Sequence, residues 1–266
     1  MAEVNLTDVS VKFPVYDAST RSFKKHLIPR TVGGHISDTN SSGSLVTALD
    51  HLDLQLAHGD RVALIGHNGA GKSTLLRVIA GIYEPGAGRV IVDGQVAPLF
   101  DITLGMDSEA TGHDNILLRG LFLGMSRAEI RARATEIAAF TELDGFLDLP
   151  IRTYSEGMRM RLAFAISTSI SPDILLLDEC IAAGDASFMK KARTRLKAFA
   201  SRAAIIVLAS HSEQLIRQIC TSGVLLEKGR LLAKGPIDEM IDTYALMRRA
   251  SATCKPSLPN PHQAKS

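Results

Sequence analysis

The sequence predicts an α/β fold with a central, mostly parallel sheet, an antiparallel β subdomain and an inserted α-helical subdomain. Three observations predict it. The apolar run "RVALIG" passes through a glycine-rich loop into "KSTLLRVIAG", a strand–loop–helix unit. Downstream, "DILLLDE", "SFMKKARTRLKAF", "AAIIVLAS" and "EQLIRQIC" alternate apolar strands with amphipathic helices, the pattern of parallel strands joined by helical crossovers. Between them, from about Leu99 to Ile166, strand signals stop and helical periodicity takes over.

The elements follow in order. Val4–Phe13 alternates apolar and polar residues, as a half-buried strand does. In "VYDASTRSFKKHLIP", Asp17 or Ser19 caps a short helix that sets Phe23 and Leu27 on one face among Arg21, Lys24 and Lys25, and Pro29 ends it. Thr31–Ser44 is a polar, Gly- and Ser-rich loop. Gly81 stands in the usual C-terminal position of the helix that begins at Lys72. "RVIVDGQV" reads as a hairpin turning on Asp93-Gly94. Ser126 to Glu129 is a capping box that opens a helix to about Phe140. "GVLLEKGRLLAKG" reads as a hairpin, Pro236 marks the start of a last helix, and the tail from Ala250 shows no periodicity. These signals divide the chain into residues 1–98 (core with β subdomain, amphipathic insert 17–44), 99–166 (helical subdomain), 167–248 (rest of the core) and a disordered tail, 249–266. No internal repeat is present, so the chain is one cassette and not a tandem pair.

Composition bounds the function. The chain has 266 residues, 45% of them hydrophobic and 22% charged, enough for a substantial core. A net charge of +2 leaves no electrostatic footprint for nucleic acid, and none is expected as a partner. The first residues lack the basic start and apolar run of a signal peptide, and no apolar stretch approaches the ~18 residues of a membrane span. Any membrane role therefore goes through a partner. Cys180, Cys220 and Cys254 form no CxxC pair and read as reduced thiols, with Cys180 a small buried hydrophobe. The histidines show no metal-ligand spacing, so no protein-held metal centre is expected.

The chemistry concentrates in four places. "GHNGAGKST" fits G-x-x-x-x-G-K-[ST] from Gly66 to Ser73, between a strand and a helix. The loop residues Gly66, His67, Asn68, Gly69, Ala70 and Gly71 can turn successive N–H groups inward around a β-phosphate, and the helix dipole adds to them. Lys72 can reach the β- and γ-phosphates, Ser73 can ligate Mg²⁺, and Thr74 completes the motif. At the carboxyl end of "ILLLDE", where open α/β sheets place ligands, stand Asp178 and Glu179. Asp178 is expected to hold Mg²⁺ directly or through water, and Glu179 to polarise the attacking water. His211 ends the next strand, where a neutral imidazole can bond the γ-phosphate. The fourth place is "TYSEGMRMRLAFAI", whose Ser155 and Gly157 open a helix with Glu156 between them. It is a second helix start able to offer N–H groups to an anion.

Taken in the order phosphate loop, "YSEGM", "LLLDE" and "ASH", these motifs resemble the nucleotide-binding subunit of ATP-binding cassette (ABC) transporters over roughly residues 3–245. The resemblance implies a P-loop NTPase cassette that binds ATP with Mg²⁺. "YSEGM" takes the position of the family's LSGGQ signature, which implies that Ser155, Gly157 and Met158 meet the γ-phosphate of a partner subunit's ATP. Asp185 in "AAGD" matches the D-loop aspartate. Phe13 matches the aromatic that stacks on adenine, with Tyr16 as competitor. The family's Q-loop glutamine is missing: Asp101 lies near that place, and Gln95 reads as a surface residue.

The "LFDITLG…TGHDNI" segment, the Gly-Met ending of the signature and "GDASFMKKA" resemble the polysaccharide-export branch of the family. That resemblance implies a homodimeric ATPase at the cytoplasmic face of the inner membrane. It would sit beneath an integral-membrane channel and drive export of a lipid-linked glycan of O-antigen, capsule or teichoic-acid type. In that branch the segment near "YDASTRSFKKHLI" lies at the membrane side. Arg21, Lys24 and Lys25 then face phospholipid head groups, the partner or solvent. Some members add a C-terminal carbohydrate-binding domain, which is not expected after Tyr244 here.

Overall fold

The structure, a computed structural model, describes residues 1–15, 35–37, 44–178 and 186–253. The expectations for Tyr16, the basic segment of Arg21, Lys24 and Lys25, Glu179, Cys180, Asp185 and the tail from Cys254 lie outside the described residues.

Two sheets build the chain. The first is antiparallel, in the order β2-β3-β1-β5, from β1 (Glu3–Val15), β2 (His35–Ser37), β3 (Ser44–Ala57) and β5 (Ala87–Asp93). The second has the order β10-β9-β4-β8-β7-β6. It contains β4 (Arg61–Ile65), β6 (Val96–Pro98), β7 (Ile174–Asp178), β8 (Ile205–Ala209), β9 (Ser222–Glu227) and β10 (Arg230–Pro236). The pairs in it from β9 through β6 are parallel, and only the edge strand β10 runs antiparallel. His35–Ser37 pairs with Thr47, Val46 and Leu45, so part of the stretch read as a polar loop is a strand.

The central strands β4, β7 and β8 are buried on both faces, which is why they consist mostly of Val, Leu and Ile, whereas the edge strand β10 alternates exposed and half-buried residues. Val62 and Leu64, Ile174 and Leu176, and Ile205 and Val207 face the antiparallel sheet and α1 (Lys72–Ile79). Their alternates Ala63, Leu175, Leu177, Ile206 and Leu208 face the opposite core. There they meet residues of α5 (Ala186–Ala200), α6 (Glu213–Ile219) and α7 (Ile237–Thr253). Each buried Leu or Ile stabilises the fold by about 1.5–3 kcal/mol relative to exposure. Cys220 is buried in this second core, and burial pushes its thiol up to about 12, which makes it inert. The last helix runs through Thr253, so the tail begins later than its lack of periodicity indicates.

"RVIVDGQV" is not a hairpin. Strand β5 ends at Asp93 in the antiparallel sheet, and β6 starts at Val96 in the other sheet, parallel to β7. The Asp173 carboxylate accepts from the Gln95 N–H at 2.8 Å, and the N–H groups of Asp173 and Ile174 donate to the Gln95 carbonyl. Asp-Gly permits a turn of either kind. These long-range bonds send the chain across to a new sheet instead of back on itself.

The helical subdomain follows. Thr111 and Asp114 form a capping box for α2 (Gly112–Phe122), and Ser126 and Glu129 form the expected one for α3 (Arg127–Thr141). Hydrogen bonds from these N-cap residues hold the Asp114 and Glu129 carboxyls below their ordinary range. Short 3-10 turns at Asp144–Asp148 and Ile151–Thr153 lead to α4 (Glu156–Ser167). Phe140, Phe164 and Phe188 meet at centroid distances of 5.6–6.3 Å and join α3, α4 and α5. No described helix is long and apolar enough to cross a membrane.

Candidate nucleotide site

The phosphate loop leaves β4 at Ile65 and enters α1 at Lys72. Its glycines are required by close approach. A Cβ at Gly66 would lie 2.4 Å from the Leu226 carbonyl oxygen, and Gly71 has φ 107° with the Ala48 oxygen 2.7 Å from its would-be Cβ. No L-residue with a side chain takes that conformation against a backbone wall. The wall is hydrogen-bonded in turn: Gly229 N–H donates to the Ala70 carbonyl, and Asp50 N–H to the Gly229 carbonyl, both at 3.0 Å. Ala70 N–H donates to the His67 carbonyl at 3.1 Å, and His67 Nδ1 donates to the Asn68 carbonyl at 2.7 Å. Lys72 Nζ donates to the Gly66 and His67 carbonyls at 2.6 and 3.0 Å, which lays the ammonium across the loop. Ser73 and Thr74 are half-buried in the first turn of α1, where no acidic side chain stands. A preformed ring of backbone donors, a helix N-terminus and a lysine make an anion cradle.

Sheet register brings the other groups to the same edge. Leu64, Ala209 and Asp178 are level across β4, β8 and β7. The phosphate loop, His211 and Asp178 therefore leave the carboxyl ends of three neighbouring parallel strands. Asp178 is half-buried and His211 exposed. The backbone beyond β8 is fixed by Ser210, whose hydroxyl accepts from Ser212 N–H at 3.1 Å, and by Ser212, which caps α6. Ser73 and Asp178 are oxygen donors of the kind a hard divalent cation takes.

The remaining candidates are spread out. Phe13 is half-buried and packs edge-on to Tyr83, with centroids 5.3 Å apart. Asp101 has φ 49° and pairs with Arg77 of α1 at 3.0 Å. Gln95 is exposed, its side-chain amide 3.4 Å from the Leu123 carbonyl. Ser155 is the N-cap of α4 and accepts from Met158 N–H at 3.2 Å. Glu156 pairs with Arg159 one turn on, while Arg161 lies 4.9 Å from the centre of the Phe188 ring. A Cβ at Gly157 would find only Ser155 Oγ, at 3.9 Å, so this helix start opens outward.

Two residues were missed in the sequence. Asn115 is fully buried: its side-chain amide accepts from Asp107 N–H and donates to the carbonyls of Asp107, Ala110 and Thr111 at 2.8–3.2 Å. Arg119, 2% exposed, sits four residues on, inside "ILLRGLF". A single charge in an apolar helical run, one turn from an asparagine, was the available signal.

The model of the ABC transporter family matches residues 49–182. The O-antigen export system ATP-binding protein RfbE of Yersinia enterocolitica is 44% identical over 229 residues, covering 86% of this chain and 96% of that protein. An O-antigen export system ATP-binding protein RfbB of Klebsiella pneumoniae is 34% identical over 242 residues, covering 91% and 96%. Among solved structures, an ATP-binding subunit of an ABC transporter superposes with a TM-score of 0.66 at 22% identity, covering 94% of this chain and 98% of that one. The ATP-binding cassette MJ0796, solved as a dimer in a post-hydrolysis state with ADP and Pi, gives 0.62 at 21% identity, covering 88% and 98%. At these identities the structural similarity concerns the fold. The sequence relatives and the matched family model carry the conclusion: this chain belongs to the ABC transporter family, as an ATP-binding cassette.

Proposed function

We propose that this chain is the ATP-hydrolysing subunit of an exporter that moves a polysaccharide or lipid-linked glycan of O-antigen type across the cytoplasmic membrane. It works as a homodimer at the cytoplasmic face, beneath an integral-membrane channel. The observation that carries this reading is the meeting of the phosphate loop, Asp178 and His211 at neighbouring strand ends, in a chain similar over 86% of its length to an O-antigen export ATP-binding protein.

In this reading the loop from Gly66 to Gly71 binds the β-phosphate through backbone N–H groups, and Lys72 swings from the loop carbonyls to the β- and γ-oxygens. Ser73 and Asp178 would hold Mg²⁺, which would neutralise charge on the transferring phosphoryl group. Glu179 takes a proton from the attacking water, and His211 holds that water in line. Phe13 or Tyr16 stacks on adenine. Ser155, Gly157 and Met158 serve the partner subunit's ATP, with Asp185 lining the same interface. Glu156 is favourable to the α4 dipole and already neutralised by Arg159, so it does not repel the phosphate.

The loop from Asp101 to Asp107 contacts the channel. Leu104 and Phe122 are 50% and 56% exposed, and the Phe122 ring lies against Gly105, an apolar patch suited to a partner surface.

Glu179→Gln tests the chemistry. ATP still binds, turnover falls by about 100- to 10,000-fold, and an ATP-bound dimer accumulates on size-exclusion chromatography. Near-normal hydrolysis by that variant sinks the assignment. Purification in gentle detergent with the bound membrane protein tests the transport reading, which fails if no lipid-linked sugar accompanies the complex.

A further inference from the structure

Arg119 of α2 is the largest fully buried side chain among the described residues, and none of its hydrogen bonds goes to a carboxylate. Burial pulls its guanidinium down to about 10, which leaves it charged at neutral pH. A buried cation held only by neutral acceptors is costly, so each acceptor matters.

Those acceptors belong to two different elements. Nε and Nη2 donate to Ser167 Oγ at 3.2 and 2.9 Å, and Nη1 donates to the Leu104 carbonyl. Ser167 is the last residue of α4, and its hydroxyl donates a hydrogen bond to the Ala163 carbonyl at 2.7 Å. The guanidinium thus sits at the negative end of the α4 dipole, whose positive end is the Ser155 start. The α4 rod between them has 12 residues and is about 18 Å long at ~1.5 Å per residue. Leu104 stands in the loop pinned at Asp101 by Arg77 and at Asp107 by Asn115. A shift of the Leu104 carbonyl strips the buried cation of an acceptor where water does not reach, unless α4 moves with it.

We propose that Arg119 is a positioning residue that locks the exposed Leu104 loop to the signature helix α4, so that the two move as one body. The proposal rests on the nucleotide reading above. It adds that displacement at the partner-facing loop reaches Ser155 through this guanidinium, and that ATP at Ser155 is felt at the loop.

Amide hydrogen exchange on the full-length chain tests it, in a Glu179→Gln background with and without Mg-ATP. ATP slows exchange at residues 66–74, at 155–160 and at 101–107. Arg119→Met, close in volume and uncharged, keeps the first effect. It cuts the ATP-dependent slowing at 101–107 about ten-fold, the factor that one hydrogen bond to a charged group carries. Ser167→Ala, which removes only the hydroxyl, does the same and serves if Arg119→Met fails to fold. A merely structural arginine would raise exchange at 101–107 equally with and without ATP and leave the difference intact. That result overturns the proposal, as does an unchanged response in Ser167→Ala or no response at 101–107 in the parent. Absence of protection at 66–74 overturns the nucleotide reading itself, so the two failures are distinguishable.

Discussion

Two helix starts in this chain face outward with backbone donors, and they are built in opposite ways. At α1 the N-cap is Gly71 in a left-handed conformation, with no side-chain cap, no acid in the first turn and backbone walls on two sides. At α4 the N-cap is Ser155, whose hydroxyl already serves Met158 N–H, with Glu156 in the first turn and open space around Gly157. The first is an enclosed cradle walled by backbone, with the Lys72 ammonium lying across it. The second has one donor, the Met158 N–H, taken by its own cap and opens outward around Gly157. Under the proposed function, the difference separates binding within one chain from recognition between chains.

The largest expected effect breaks the cradle. Lys72→Ala removes the only side-chain cation in the loop and weakens ATP binding by about two orders of magnitude or more, read by titration with a fluorescent nucleotide. Retained tight binding counts against the loop assignment.

Glycine replacement separates the two starts directly. Gly71→Ala forces a Cβ into the Ala48 carbonyl and costs about 1–3 kcal/mol of stability together with ATP binding. Gly157→Ala meets no wall, so it leaves thermal stability equal or raises it by up to about 1 kcal/mol. Under the proposed function it nonetheless slows ATP turnover and dimer formation, because its methyl group would stand where a partner subunit's phosphate approaches. Equal behaviour of the two variants in melting and ATP titration erases the distinction.

Ser155→Ala is milder. It loses an N-cap, costing about 1 kcal/mol, and lowers turnover while monomer ATP binding stays the same. Weaker ATP binding by the monomeric variant would place Ser155 in its own chain's site instead.

The smallest effect is on pH. Asp114 and Glu129 have lowered values in the folded chain because Thr111 and Ser126 bond their charged forms. Their contribution is complete above the ordinary carboxylate range and is lost as pH falls through the lowered values. Asp114→Asn should flatten the acid limb of the melting-temperature profile slightly, and an unchanged limb removes that box from the acid response.

Much of the cradle was legible because its chemistry is contiguous. The residues from Gly66 to Thr74 supply donors, dipole and cation within two turns of chain, and the strand and helix around them announce themselves by period. The two capping boxes are equally local, although only the one at Ser126 was read. The sheet switch at Gly94 was not legible, because alternation and an Asp-Gly pair look the same whether the next strand folds back or crosses over. Asp173, nearly eighty residues on, makes that choice.

The phosphate loop, the buried strands and the identity of the groups at their ends follow from local sequence. Each of these depends on neighbours a few residues away. Tertiary structure alone decided that Leu64, Ala209 and Asp178 stand level, that Glu156 is matched by Arg159 and not Arg161, and that Arg119 is buried between a loop and α4. Register, ion-pair choice and burial of a charge are set by pairing across long stretches of chain. Local propensity carries no record of which distant partner supplies the acceptor.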